Sequence, residues 1–379
     1  MERTVWIIAG EESGDNYGAM LAAALRRLAP DVTVRGMGGE AMRGAGVDIM
    51  VDSSELGIVG FVEVLKHLPM FLRLFRGLVK RAADERPDAV VLIDYPGFNL
   101  RFARKLYALG IPVVYYVSPQ VWAWGKRRIP EIARLVTKLL VIFPFEPDVY
   151  AGTGLDVEFA GHPLLEIIPA PGEAAEIREP NTVLILPGSR VSEVDRLLPA
   201  LVGTATVLAA KRPELQFVIA SPRERIAEHI RGRLVTLLPG DQQALFRVDV
   251  GHTRECLRRA SAGIAASGTV TIEAAISRLP LVVVYRLHWL TYSIAKHLVD
   301  IPFFTMVNLV SKARVFEEFL QGDVNPNVLA PALEAILPGG SRRDEVEAGM
   351  ERTVELLGGR ERASEKAAQA VLDVISTSG

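Results

Sequence analysis

A single cysteine, Cys256, among 379 residues excludes an internal disulfide framework and fits a reducing compartment. Charge of one sign is not in excess. Lys and Arg number 43 against 45 Asp and Glu, a formal net charge of −2. General nucleic-acid binding, which rests on a basic surplus, is therefore not expected. Long hydrophobic runs are also missing. The uncharged stretch long enough to span a bilayer, 106–125, contains Gly110, Pro112, Ser118, Pro119 and Gln120, and reads as helix end, strand and loop. The opening Met1-Glu2-Arg3-Thr4 passes directly into the apolar Val5–Ala9 and then into acids, too short an apolar stretch for a signal peptide. A cytoplasmic location is the expectation. Several chemical signatures are absent as well. Without Gly-x-x-x-x-Gly-Lys-Ser/Thr there is no P-loop for nucleotide hydrolysis. No His-Glu-x-x-His or paired-cysteine pattern points to zinc, and no Asp-x-Asp offers ligands for a metal-bound diphosphate. Neither metal nor cofactor is expected.

What the chain does have is apolar residues, 49% of the total, and a mean hydropathy of +0.23. They fall in short β-branched runs that alternate with helical patterns, the signature of parallel-sheet α/β domains. Strands are expected at Val5–Ala9, Val32–Arg35, Ala89–Asp94, Val113–Val117 and Leu139–Phe143, with helices such as Asn16–Leu28 and Leu100–Leu109 between them. The stretch Ile168–Pro180, rich in proline and small residues, interrupts the periodicity and reads as a boundary. A second series follows at Thr182–Leu186, Gln216–Ala220, Gly263–Ala266 and Leu281–Tyr285, and everything beyond Asn327 reads as helix. The expectation is two Rossmann-like doubly wound domains, 1–170 and 181–350, with a helical tail over 351–379. Ligands in such folds gather at the carboxyl ends of strands, here facing a common crevice.

Five loops at those strand ends carry candidate chemistry. Gly10-Glu11-Glu12-Ser13-Gly14-Asp15 follows the first strand and opens a helix. It lacks the dinucleotide fingerprint, and Glu11 and Glu12 would repel phosphate, so a sugar or other polar acceptor suits it better. A tight turn with an ordinary helix start explains the loop equally well. Asp94, ending a buried strand before Tyr95-Pro96-Gly97-Phe98-Asn99, stands where desolvation raises a carboxylate's proton affinity and makes it a base. The alternative is a helix cap. In Ser118-Pro119-Gln120-Val121-Trp122-Ala123-Trp124-Gly125 the aromatic faces suit sugar rings or acyl chains, and the basic Lys126–Arg128 suits phosphate. Packing remains the other reading of the tryptophans.

Phosphate signals are stronger in the second half. Pro187-Gly188-Ser189-Arg190 offers a guanidinium able to make paired bonds to a diphosphate. Ser267-Gly268-Thr269 bares a helix start suited to an anion, and Glu273, one turn in, is placed for a ribose hydroxyl. His162, in Gly161-His162-Pro163, either lines the crevice or packs near the domain junction.

Residues 61–81 combine an apolar stripe (Phe61, Leu65, Leu68, Phe71, Leu72, Phe75, Val79) with Lys66, Arg73, Arg76 and Lys80 beside it. Pro69 is expected to divide the segment into two short helices. The stripe is either a core face with a solvated basic edge or a surface lying in a bilayer interface near anionic lipid.

Taken in order, Gly10–Asp15, Ile93–Asn99, Tyr116–Trp124, Gly161–Pro163, Leu186–Arg190, Ala266–Thr269 with Glu273, and Asn308 in Met306–Leu309 resemble the lipid-A-disaccharide synthase family over nearly the whole chain. The Ser-Pro-x-Val-Trp-Ala-Trp block is the most specific of these. The resemblance implies an inverting, metal-independent glycosyltransferase of the B type. It would join UDP-2,3-diacylglucosamine to 2,3-diacylglucosamine 1-phosphate by a β-1,6 bond and release UDP.

Carried over by motif, Asp94 is the base, Arg190 binds the leaving diphosphate and Asn308 assists near the donor. Ser189, Ser267, Gly268, Thr269 and Glu273 complete the nucleotide site, while Glu11, Ser13, Gly14, Trp122 and His162 line the acceptor side. The family further implies a homodimer, with the tail crossing back or exchanged. It also implies peripheral attachment to the inner face of the cytoplasmic membrane, with Leu65, Leu68, Phe71, Leu72 and Phe75 as the membrane face. Two departures are notable: Glu12 replaces the family's usual alanine, and Thr305-Met306-Val307 precedes Asn308 where Leu-Pro is more familiar. Rival readings are another B-type glycosyltransferase with a lipid acceptor, a non-catalytic nucleotide- or lipid-binding paralogue, and a nucleotide-sugar epimerase.

Overall fold

A computed structural model of the chain describes residues 3–53, 64–123, 125–169, 178–287, 302–359 and 361–378, with side chains from position 70 onward in the helix that starts at 64. The chain forms two compact units, Met1–Pro163 together with Arg360–Gly379, and Leu164–Gly359.

The first unit is built on a seven-stranded sheet of β1 (Arg3–Ala9), β2 (Val32–Gly38), β3 (Asp48–Asp52), β4 (Ala89–Ile93), β5 (Val113–Tyr116), β6 (Lys138–Val141) and β7 (Asp156–Phe159). Their spatial order is β3-β2-β1-β4-β5-β6-β7, and every pairing is parallel. Parallel strands need helical crossovers, which cover both faces, so the inner strands read as unbroken apolar runs. Val5 to Ala9 and Ala89 to Ile93 are accordingly all buried. One face packs Trp6, Leu92 and Tyr115 against Leu78 and Ala82 of the helix Val64–Glu85 and Phe102 of the helix Pro96–Ala108. On the other, Glu12–Leu28 pairs with the last helix, Ala363–Ser378, which returns to cover β4, β5 and β6.

The second unit repeats the plan with six parallel strands. These are β8 (Glu179–Leu186), β9 (Gln216–Ser221), β10 (Phe246–Val250), β11 (Ala260–Ala266), β12 (Leu281–Tyr285) and β13 (Glu317–Leu320), in the order β10-β9-β8-β11-β12-β13. Beyond Asn325 the described chain is helical, in Pro326–Glu334, Arg343–Leu356 and Ala363–Ser378. No helix among the described residues is long and apolar enough to cross a membrane.

Two expectations need correction. Pro69 does not divide its segment, because a single helix runs over Val64–Glu85. The proline falls near the helix start, where it removes only one interior hydrogen bond. The following turns are anchored by Phe71, Leu74, Phe75, Leu78, Val79 and Ala82 against the core. The second correction concerns strands: β3, β7, β10 and β13, absent from the sequence-based series, complete the sheets.

Gly36 marks the tightest backbone approach in the first sheet, since a Cβ there would lie 1.8 Å from the Ile7 carbonyl oxygen. Gly36→Ala should force β1 and β2 apart and destabilise the protein by about 1–3 kcal/mol or more, read as a lowered thermal midpoint.

Candidate active site

Strand order reverses between β1 and β4 in the first sheet, and between β8 and β11 in the second. At such a point successive connections leave in opposite directions, and a crevice opens beyond the carboxyl ends. The loops at these two reversals are Gly10–Asp15 and Asp94–Asn99 in the first unit, and Pro187–Arg190 and Ser267–Thr269 in the second. Topology alone thus brings the candidate loops together in pairs.

Asp94 is partly buried. Burial, reinforced by the negative charge of Glu11, pushes its carboxyl up to about 6, against the opposing hydrogen bond from the Tyr95 backbone. A carboxylate so poised is deprotonated at neutral pH yet a better proton acceptor than an ordinary aspartate. Its backbone is unusual too: Asp94 and Tyr95 have φ of +46° and +43°, and Val117, after β5, has +66°. Side chains with a Cβ rarely adopt this region, and each such residue costs about 1–3 kcal/mol unless its surroundings hold it. Gly10 is required by the same corner, because a Cβ there would meet the Tyr95 ring at 2.4 Å. Glu11 and Ser13 are exposed at the loop, while Gly14 is buried against Ala9.

Asp15, to which the sequence assigned no role, accepts backbone N–H bonds from Gly39, Ala41 and Met42 at 2.6, 2.9 and 3.2 Å. It ties the loop to the end of β2.

Trp122 and His162, distant in sequence, are joined by a file of rings. Trp122 stands edge-on to Phe145, Phe145 stacks on Phe143, and Phe143 lies against His162, with centroids 5.2, 5.7 and 5.4 Å apart. His162 is 3% exposed, and burial pushes its imidazole down to about 3. The ring is thus held in its neutral form and packs against Phe143.

Beneath the file lies Glu146, another residue the sequence left unassigned. It is buried and pushed up to about 7 by desolvation, although the Phe143 and Ile142 N–H groups and the Trp122 indole all favour its charge. The signal was a carboxylate just after an apolar strand, in Phe143-Pro144-Phe145-Glu146, and it was overlooked because nothing marked it as buried.

In the second unit Gly188 has φ of +114°, which lets the chain turn abruptly after β8. Ser189 and Arg190 are exposed. The neighbouring Glu193, unforeseen from sequence, takes the Ser189 and Arg190 N–H groups at 2.9 and 3.3 Å and the Arg190 guanidinium at 2.8 Å. Its carboxylate thus takes up both backbone N–H groups of this turn and the guanidinium beside them.

The Ser267 hydroxyl donates to the Phe304 carbonyl, and Gly268 and Thr269 are exposed. Glu273 is largely buried, which raises its pKa, while Arg254, at 3.2 Å, opposes the shift. Among the described residues no cluster of His, Cys, Asp and Glu is disposed to hold a metal ion.

Asn308 stands differently from expectation. Fully buried, it donates through Nδ2 to the Phe316 carbonyl and Glu318, both at 2.8 Å, and accepts the Phe316 N–H at 2.9 Å. The amide fastens the helix Met306–Ser311 to Phe316 and to Glu318 of β13. These three bonds hold the fold at this position.

The apolar stripe is narrower than expected as well. Phe71 and Phe75 pack on the core, and the Phe75 ring stands edge-on to Phe98 and Phe102 at 5.5 and 6.0 Å. Outward apolar side chains are Met70 and Leu72, 39% and 44% exposed, with Arg73, Arg76 and Lys80 exposed beside them. The side chains of Leu65 and Leu68 lie outside the described residues.

Residues 5–374 match the family described as lipid-A-disaccharide synthetase. The chain belongs to the lipid-A-disaccharide synthase family. It is 38% identical over 384 residues to the lipid-A-disaccharide synthase of Myxococcus xanthus, covering 98% of this chain and 97% of that one. To the Koribacter versatilis enzyme of the same name it is 40% identical over 388 residues, covering 98% of each.

Solved structures with the same architecture include the glycotransferase of kitacinnamycin, with a TM-score of 0.64 at 15% identity over 98% of both chains. The UDP-GlcNAc 2-epimerase from Neisseria meningitidis scores 0.63 at 12% identity, covering 99% of this chain and 100% of that one. At such identities the likeness shows the fold, that of B-type glycosyltransferases. This lipid-A-disaccharide synthase family member is therefore a glycosyltransferase enzyme on a GT-B scaffold.

The Asp94 environment is directly measurable. Carbon NMR titration should find one aspartate carboxyl ionising near the value of about 6, and Glu11→Gln, by deleting the nearby negative charge, should move that ionisation to lower pH.

Proposed function

We propose that the protein transfers a 2,3-diacylglucosaminyl group from its UDP ester to the 6-hydroxyl of 2,3-diacylglucosamine 1-phosphate. The products are a β-1,6-linked disaccharide and UDP. The observation that carries this reading is Asp94, a desolvated carboxylate with raised proton affinity at the β1/β4 reversal. In the proposed step the acceptor oxygen attacks the anomeric carbon as the bond from that carbon to the UDP β-phosphate oxygen breaks, with inversion. Asp94 takes the hydroxyl proton. Negative charge grows on the departing β-phosphate, and a group that binds it best when fully developed accelerates the step.

The exposed Arg190 guanidinium suits that role, with Ser189, Ser267, Gly268 and Thr269 offering further donors. On this reading Glu193 is the internal carboxylate that the diphosphate replaces, and Glu273 orients the ribose. Glu11, Ser13, Gly14 and Trp122 belong to the acceptor side, where His162 supports the ring file. Asn308 contributes indirectly, by holding the corner before β13. The first unit takes the acceptor and the second the nucleotide.

The diacylated substrates also call for contact with a membrane surface. Met70 and Leu72 beside Arg73, Arg76 and Lys80 form a small apolar and basic face of the right chemistry for an anionic bilayer. Attachment as a peripheral protein and assembly as a homodimer remain part of this proposal.

Purified protein offered the acylated donor should release UDP only when the acylated acceptor is present, with a disaccharide seen by mass spectrometry. Release with plain UDP-N-acetylglucosamine and a different acceptor would overturn the substrate assignment. Asp94→Ala should lower kcat on the order of a hundredfold or more with UDP affinity retained, whereas near-normal turnover would remove Asp94 as base. Arg190→Ala should lower kcat/KM on the order of a hundredfold. Met70→Ser with Leu72→Ser should weaken binding to anionic vesicles without lowering the thermal midpoint; unchanged binding would dismiss the membrane face.

A further inference from the structure

Two consecutive left-handed residues, Asp94 and Tyr95, are costly without outside restraint: aspartate tolerates the region better than most, tyrosine does not. The restraints converge on carbonyl oxygens. Asn99, fully buried, donates its side-chain amide to the Ile93 carbonyl at 3.0 Å and to the Asp94 carbonyl at 2.8 Å. From the adjacent strand, the buried Tyr115 hydroxyl donates to the same Asp94 carbonyl at 2.6 Å. The Asp94 N–H is fixed in turn by the Tyr116 carbonyl at 3.0 Å, and the Asn99 N–H by the Tyr95 carbonyl at 3.0 Å. Both peptide groups that set the direction of the Asp94 side chain are therefore pinned by donors from β5 and the next helix.

We infer that Asn99 and Tyr115 are positioning residues for the proposed reaction, clamping the Asp94 carbonyl so that its carboxylate is held at the mouth of the β1/β4 reversal rather than relaxing outward. This rests on the reading of Asp94 as the base.

Neither side chain is needed merely to fill space. Tyr115 could pack its ring in β5 without a hydroxyl, and a leucine would fill the place of Asn99 at the buried start of a helix. Buried polar groups are kept where they make specific bonds, and an unmade bond there is costly. With the clamp released, the corner would relax toward ordinary backbone angles, and the carboxylate would swing toward solvent. The groups that face Asp94 are Glu11, whose charge opposes its ionisation, and the Tyr115 phenol. Movement away from Glu11 and from the buried site would both ease that ionisation.

The test compares Tyr115→Phe, Asn99→Ala and Asp94→Asn with the unaltered full chain, reading UDP release against pH and thermal unfolding in parallel. The clamp predicts that Tyr115→Phe lowers kcat by about tenfold at an unchanged donor KM, since displacement of a reacting group by a fraction of an ångström is enough for losses of this order. It further predicts that the acid limb of the rate profile, set by Asp94, moves to lower pH as the carboxylate loses its burial. Asn99→Ala, which removes two bonds, should show the larger loss. If it fails to fold, Tyr115→Phe decides.

A merely structural role would lower the thermal midpoint and leave both kcat and the acid limb of the folded enzyme unchanged. That result overturns the clamp while Asp94→Asn, inactive, upholds the base. An active Asp94→Asn would overturn both.

Discussion

A parallel sheet has to be covered on both faces, and much of this molecule follows from that requirement. Each strand is followed by a crossover that returns the chain to the same end, so all carboxyl ends in a sheet lie on one side. Where the strand order reverses, the crossovers part, and the loops nearest the gap are those after β1 and β4 and after β8 and β11. Most of the candidate residues, Asp94 and Arg190 among them, stand in those four loops, beyond the reach of the helices that cover the strands. Burial of the central strands supplies the second ingredient. It places Asp94 at the end of a run of five buried apolar residues, and desolvation rather than any single neighbour becomes the largest influence on its carboxyl.

The same requirement explains which parts of the fold could be read from sequence. The nine strands expected from apolar runs are all present in the structure, and the four that escaped notice, β3, β7, β10 and β13, are the four sheet edges. An edge strand is covered less completely and admits charge: Asp48–Asp52 begins and ends in aspartate, and Glu317–Leu320 begins with two glutamates. Edges protected in this way resist pairing with other chains, but they lose the pattern by which a strand is recognised.

For the candidate site, sequence revealed loops better than roles. Asp94 was legible because one neighbour in sequence, the apolar strand before it, determines its surroundings. For Phe75 and His162 packing was one of two open readings, and the partners of Asn308 were not foreseen, since their surroundings come from residues elsewhere in the chain: Phe98 and Phe102 for the first, Phe143 for the second, Glu318 for the third. Glu193 and Glu146 were missed for the opposite reason. Each is a common residue type close to a motif, and only the folded loop shows that one occupies the amides after β8 while the other underlies Trp122. Motif resemblance singles out candidate loops, whereas the partners of each side chain within them require three dimensions.

The return of the last helix, Ala363–Ser378, to the first unit makes that unit discontinuous in the chain, and this bears on how the protein is born. During synthesis the strands up to β7 emerge early, yet one face of β4, β5 and β6 stays without this cover until residues 363–378 have left the ribosome. The second unit, Leu164–Gly359, is contiguous and can complete its own sheet first. The first unit cannot be complete before its last helix emerges, and a chain that stops short of it leaves one face of β4, β5 and β6 without that layer. Residues 363–378 thus support the strand that ends at Asp94, although most of the sequence separates the two.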